Sequence, residues 1–181
     1  MSEKGHLTID IFKLVSHSAA RADSLDKMGD LLCTLLVAAL EVKGVALYLL
    51  NKDKGELELL SSFGLSYEYL SKGPLLPQKS LVCILRGEPV IVRDVASTHL
   101  LQYPELALKE GIKSIGSFPL IVSGEAIGAL RVYHHKEWDI GQEDIDSLMV
   151  LGEIIALGMA YANLRHAARS FIEVTSRIQL L

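Results

Sequence analysis

Apolar residues recur along this chain with two periods, one helical and one alternating. From Leu7 to about Ala20, Leu7, Ile11, Leu14 and Val15 repeat at helical spacing, and Ile9 and Phe12 widen the stripe. Ser24 is placed to cap a second helix, with Asp26 adding favourable charge in its first turn. That helix runs through LDKMGDLLCTLLVAALEV and is expected to end near Gly44. Two β-rich runs follow, VALYLLN and ELELLSSF. They flank NKDKG, whose polar residues and glycine predict a hairpin.

The middle of the chain is less regular. Gly64 to Gln78 holds two glycines and two prolines, so it predicts loop with one helical turn around Tyr67 to Leu70. Ser80 is positioned to cap a short helix, SLVCILRG, that Gly87 stops. GEPVIVRDV predicts a short strand, with Pro89 at its start because proline cannot donate within a ladder. After a loop over Ser97 to Gln102, Pro104 opens a short helix that Gly111 ends. SIGSFPLIV and EAIGALRVY then form a second hairpin joined at Ser123-Gly124. Their nearly unbroken apolar character implies a sheet covered on both faces. A polar turn around Trp138 and Asp139 leads into a long helix from near Gln142 towards Leu181. There is no internal repeat, low-complexity tract or interdomain linker.

Composition narrows the class. In 181 residues, half hydrophobic and 22% charged, there is material for one substantial core and no signature of disorder. A net charge of -4 gives no basic footprint for nucleic acid. Cys33 and Cys83 sit in apolar runs without zinc-type spacing and read as core thiols of a reducing cytosol. The start, MSEKGHL, lacks the apolar stretch of a signal peptide, so a cytoplasmic location is expected. LMVLGEIIALGMAYANL, from Leu148 to Leu164, is slightly short for a membrane span and contains Glu153. It reads as a helix buried by protein on more than one face, which points to a second chain.

One residue breaks the apolar pattern. In a strand alternate side chains share a face, so Ile127, Ala129, Arg131 and Tyr133 are expected together. Arg131 is a cation in the most apolar strand. It must meet a carboxylate of its own fold, snorkel to solvent at the rim, or await an anionic group from outside. Arg93, Asp94, His99 and Tyr103 follow the short strand as further polar candidates for binding, against a reading as exposed loop with local caps. Ser114 and Ser117 offer hydroxyls, although strand serines commonly bond nearby backbone. Cys83 lies on the predicted short helix, where a small core filler is the commoner role than a reactive thiol, and Tyr48 and Phe63 belong to the first hairpin, where packing also explains aromatics. His134 and His135, as strand neighbours, should point to opposite faces and not share a metal. No Ser-His-Asp set, phosphate-cradling loop or zinc spacing is present, so no enzyme activity is expected. Along the last helix Leu157, Tyr161, Leu164, Ala168, Phe171, Val174, Ile178 and Leu181 recur at steps of three or four, a seam suited to a coiled-coil contact.

VALYLLNKDKGELELLSSFGL, SLVCILRGEPVIVRDV, EGIKSIGSFPLIVSGEAIGALRVY and WDIGQEDIDSLMVLGEIIALGMAYANL, in this order, resemble the GAF family from about Leu14 to Leu164. The resemblance implies an α+β domain with a GAF/PAS-like antiparallel sheet of five or six strands in the order 2-1-5-4-3. Helices from both chain ends would lie on one face and a helical and loop crossover on the other. It implies one domain over 1–181, with a core of about 14–164 and an extended signalling helix over 165–181. It also implies a non-catalytic regulatory sensor that binds a small molecule between sheet and crossover. Tyr48, Phe63, Cys83, Arg93, Asp94, Tyr103, Ser117, Arg131 and Tyr133 are the candidate ligand contacts. Ile11, Leu14, Leu157, Tyr161, Leu164, Phe171, Val174 and Ile178 are the candidate homodimer contacts, serving a downstream signalling effector. The alternative is a dimerisation module with a vestigial pocket. Neither nucleic acid nor membrane is an expected partner. HHKEWDIGQED departs from the cyclic-nucleotide pattern of Asn-Lys, Phe and Asp-Glu, and Cys83 is followed by Ile84, not by the histidine of bilin-binding relatives. Two apolar-flanked thiols fit poorly with the methionine-sulfoxide-reducing relatives, and His99 is a weak haem ligand. The ligand's identity stays open.

Overall fold

Both predicted hairpins form in a computed structural model that describes residues 7–21, 24–76 and 84–178, with side chains as far as residue 172. Strands β1 (Gly44–Asn51) and β2 (Glu56–Phe63) pair across the NKDKG turn, where the Asn51 side chain accepts from the N–H groups of Asp53 and Lys54. The short strand β3 (Val90–Val92) joins the edge of β4 (Ser114–Val122), which pairs with β5 (Glu125–His134). Ser123 and Gly124 hold φ values of +53° and +81°, the pair of positive angles that a type I′ turn requires. The sheet has five strands in the order β2-β1-β5-β4-β3, every pair antiparallel, as expected.

Helices from both chain ends cover one face. They are α1 (Ile9–Arg21), α2 (Leu25–Leu40) and a long terminal helix (Gln142–Ile178). Ser24 caps α2 by accepting from the Lys27 N–H at 3.4 Å. The helix ends earlier than expected. Glu41 takes a left-handed conformation and its N–H bonds back to Val37, so Gly44 opens β1 and is no helix stop. Val45, Leu47, Phe118, Leu120, Leu130 and Val132 of the sheet meet Met28, Leu32, Leu36, Leu148, Leu151 and Ile155 in one wholly apolar layer.

The other face carries the crossover. It comprises α3 (Tyr67–Leu70), a single 3-10 turn at Ile84–Arg86, β3, and α4 (Pro104–Lys109), after which the long helix is numbered α5. Ser66 caps α3, and the Glu110 carboxylate holds Ser66 through its N–H and hydroxyl while pairing with Lys43 at 3.4 Å. A second buried cluster lies here, including Ala46, Tyr48, Leu57, Tyr69, Ile84, Ile115, Ala129 and Tyr133.

Two local expectations are corrected. Ile127 does not share a face with Ala129, Arg131 and Tyr133. Leu120 opposes Gly128 while Ile121 opposes Ala126, so Ile127 is the extra residue of a β-bulge and packs towards the helix layer. His134 and His135 do not diverge either. Because β5 ends at His134, His135 has left the strand, and the two rings lie 4.8 Å apart beside Trp138.

Candidate functional site

β5 sends Arg131 into the crossover face, where the residue is 2% exposed. Its Nε donates to the Ser117 hydroxyl at 3.1 Å, across the register pair Ser117–Arg131 of β4 and β5. The guanidinium carbon stands 5.4 Å from the centre of the Tyr133 ring. Among the described residues no carboxylate forms an ion pair with Arg131, and Ser117 is its only hydrogen-bond partner. The side chain lines a narrow crevice with Tyr69, Lys72, Leu75, Leu101, Gln102 and Tyr103, which has room for about one water molecule. Lys72 lies along its wall, with Nζ 3.7 Å above the Tyr69 ring and donating to the Tyr69 carbonyl at 2.9 Å. Gln102 accepts from the Leu76 N–H at 3.1 Å and donates to the Tyr103 hydroxyl at 2.7 Å, which itself donates to the Pro74 carbonyl.

The electrostatics follow from this burial. Burial, and then the neighbouring Tyr133, push the phenols of Tyr48 and Tyr69 well above their ordinary range, so both stay neutral. The Tyr48 and Tyr133 hydroxyls share a hydrogen bond of 3.3 Å, and Tyr69 packs edge-on against Tyr133. Burial, and then the nearby Arg131 charge, draw Lys72 down to about 8. Burial also opposes the charge on Arg131. The oxygens of Tyr133, Tyr69 and Tyr48 outweigh it, and the guanidinium stays ionised. Glu110 is the acid whose charge reaches Lys72 and Tyr69, yet its oxygens are held by Ser66 and Lys43. The crevice therefore gathers two cations and the neutral phenol of Tyr69 without a paired acid among the described residues.

The GAF domain family model matches residues 24–159, three quarters of the chain. This chain belongs to the GAF domain family. A comparison with curated protein sequences returns no match. Among solved structures, the GAF domain of a phosphoenolpyruvate-protein phosphotransferase from Coxiella burnetii is 21% identical, with a TM-score of 0.76 over 88% of this chain and 96% of that one. A free methionine-R-sulfoxide reductase from Neisseria meningitidis, in complex with its substrate, is 18% identical, with a TM-score of 0.77 over 91% and 95%. A domain of a putative two-component sensor histidine kinase from Sinorhizobium meliloti 1021 is 19% identical, with a TM-score of 0.69 over 82% and 99%. These likenesses establish the fold. The family is generally regulatory and serves as sensors in signalling proteins, although one of these neighbours is a reductase.

Within this GAF domain the candidate contacts separate. Tyr103 and Arg131 line the crevice, and Ser117, Tyr48 and Tyr133 are buried around them. Phe63 ends the edge strand β2 about half exposed and does not line the crevice. Arg93 is exposed and pairs at 3.0 Å with Asp139 in the segment before α5, while Asp94 accepts from the Ala96 N–H within its own loop. Ser114 donates to the Lys136 carbonyl, and His99 is exposed. Cys83 lies outside the described residues. Tyr69, Lys72 and Gln102 escaped the sequence reading, because each sits in a non-periodic segment where nothing marks an inward side chain.

A larger, open trough of about 650 Å³ runs between α1 and α2, lined by Leu14, His17, Arg21, Lys27 and Leu31 among others. It lacks what distinguishes the crevice, a deeply buried charge aimed into it. Among the described residues no three His, Cys, Asp or Glu side chains cluster as for a metal. Cys33 is a free buried thiol, pushed up to about 12 chiefly by burial, which removes the thiolate that redox exchange needs.

On the dimer side, Ile11 turns into the chain's own core, whereas Leu14 is exposed. Leu157, Tyr161, Leu164 and Phe171 are each more than half exposed, on the opposite side of α5 from Leu148, Leu151, Ile155 and Met159. Val174 and Ile178 lie on the helix but outside the described side chains.

Proposed function

We propose that this GAF domain is a cytoplasmic, non-catalytic sensor that admits a small molecule between sheet and crossover and relays its presence through a homodimer of terminal helices to a signalling effector. The observation that carries the reading is Arg131, a buried guanidinium without a carboxylate partner among the described residues, at the wall of a crevice. The substrate complex of the Neisseria reductase supports it by showing that a domain of similar fold holds a small molecule. The buried, protonated Cys33 favours sensing over redox catalysis. The relay rests on α5. Its apolar outer stripe at Ile154, Leu157, Tyr161, Leu164, Ala168 and Phe171 alternates steps of three and four, the spacing of a coiled-coil seam. α5 is long and apolar enough to cross a membrane by length and composition, but its inner face is committed to the sheet through Leu148, Leu151 and Ile155. A second copy can cover the outer stripe without dismantling that core. Ligand binding would bias two arrangements of the helix pair by a coupling of about 1–3 kcal/mol.

Native mass spectrometry of freshly purified protein, set against the denatured mass, tests both halves. A dimer carrying extra mass that vanishes on denaturation is the expected result. Leu164→Glu with Phe171→Glu should convert the dimer to monomer while the circular dichroism spectrum is kept. An unaltered dimer would move the contact off this seam. A bare dimer that also binds nothing from a metabolite panel would favour the second reading, a dimerisation module whose pocket is vestigial.

A further inference from the structure

We infer that the crevice between α3, the loop before α4, and β5 is a receptor for a small oxyanion, a carboxylate or inorganic oxyanion of a few heavy atoms, gripped by the terminal amino groups of Arg131 and by Lys72 Nζ. This deepens the sensor reading and rests on it. Arg131 spends its Nε on Ser117, which leaves four terminal N–H donors without a partner among the described residues. Every fully buried polar side-chain atom among those residues has a partner, so the terminal amino groups are not sealed in apolar packing and open onto the crevice that Arg131 lines. A planar fork of this kind matches two oxygens of one anion.

The surroundings select for charge. Lys72 shares the crevice wall with Arg131, and each cation raises the free energy of the other. Among the described residues the only acid that reaches Lys72 electrostatically is Glu110, and it is bound to Ser66 and Lys43. A neutral ligand would leave both cations uncompensated, and a cationic one would add to the repulsion. Tyr69, kept neutral by burial, adds no competing negative charge, and Gln102 and Tyr103 supply hydrogen-bonding groups. Size selects as well. With room for about one water as it stands, the crevice must widen to take even a compact anion, and a nucleotide would have to displace the crossover.

An anion beside Lys72 restores the proton that burial and Arg131 disfavour. The groups facing Lys72 are the Tyr69 ring and carbonyl, Arg131, Glu110, and the crevice-lining Tyr103 and Gln102. Lys72 is the member of this set with a value near 8, so binding at pH 8 should take up a fraction of a proton and weaken as pH rises further.

The test is isothermal titration of the full chain with sodium acetate, succinate, nitrate and phosphate, each against sodium chloride at equal ionic strength, with acetamide as the neutral control. At least one oxyanion should bind saturably while acetamide does not, and the panel separates carboxylate from inorganic ligands. Arg131→Met should abolish binding. Lys72→Met, a less buried change, should weaken it by about tenfold or more and remove the proton uptake seen at pH 8 in buffers of different ionisation enthalpy. If no oxyanion binds, or if both variants bind as the parent does, the assignment is overturned. If acetamide or another neutral metabolite binds in their place, the oxyanion receptor is wrong and the sensor stands. If native mass spectrometry finds no bound mass and no metabolite binds either, both fall together.

Discussion

Successive residues of β5 look into two unlike interiors. Leu130 and Val132 enter a layer made of aliphatic and aromatic side chains from α1, α2, α5 and the sheet. Arg131 and Tyr133, one residue on in each case, enter a layer where tyrosines, a serine hydroxyl and a second cation stand among aliphatic side chains. Both layers are bounded by the same three central strands. The helix face is finished mainly by aliphatic packing, with the buried Ser61 hydroxyl donating to Asp30 of α2 at 2.6 Å at its edge, so its stability depends chiefly on fitted side chains. The crossover face retains polar groups that an apolar residue of equal volume would replace without loss.

The largest effect should come from the strand that both faces share. At Gly128 a Cβ would stand 2.1 Å from the Tyr48 carbonyl oxygen, a backbone atom that cannot swing aside. Gly128→Ala should cost about 3 kcal/mol or more and lower Tm by roughly 6–12 °C. Calorimetry showing an unchanged Tm would mean that the β1–β5 contact is looser than the register here.

Adjacent substitutions then set one face against the other. Leu130→Ala should lose about 3 kcal/mol, because it empties a site with no exposure and packed neighbours. Arg131→Met should leave stability unchanged or raise it, since it removes a buried cation without a counter-charge among the described residues. Denaturant unfolding of the two variants in parallel decides the matter. Equal losses would make Arg131 a structural residue and erase the contrast between the faces.

That contrast was half legible in the amino-acid pattern. The strands, their order and the caps are local matters: NKDKG, Ser123-Gly124 and Ser24 each carry their turn or cap chemistry in two to five residues. Arg131 was visible because a cation interrupts an apolar run. Its environment was not. Tyr69, Lys72 and Gln102 come from segments with no period, and only the path of the crossover brings them to β5. Arg93 and Asp94 are as polar as Lys72, yet an exposed ion pair draws Arg93 to Asp139 before α5 and a turn bond to Ala96 keeps Asp94 in its own loop. The bulge at Ile127 inverted one residue's face because a single unpaired residue shifts a two-residue period.

The smallest effect probes the crossover face through its pH dependence. Burial, and then Arg131, lower Lys72 from the ordinary 10.5 to about 8 in the folded chain, with Glu110 opposing the shift. Between those values the unfolded chain binds a proton that the folded chain does not, so stability rises with pH across that window. Below about pH 8 the whole penalty is present, and above about 10.5 it is gone. A shift of this size corresponds to at most about 3 kcal/mol, and less once solvent screening of a partly exposed amine is counted. Lys72→Met should flatten that rise, so the parent should gain on the variant as unfolding is measured from pH 7.5 to 10. A difference that stays constant over this range would mean that Lys72 already reaches water, leaving Arg131 as the only desolvated charge on that face.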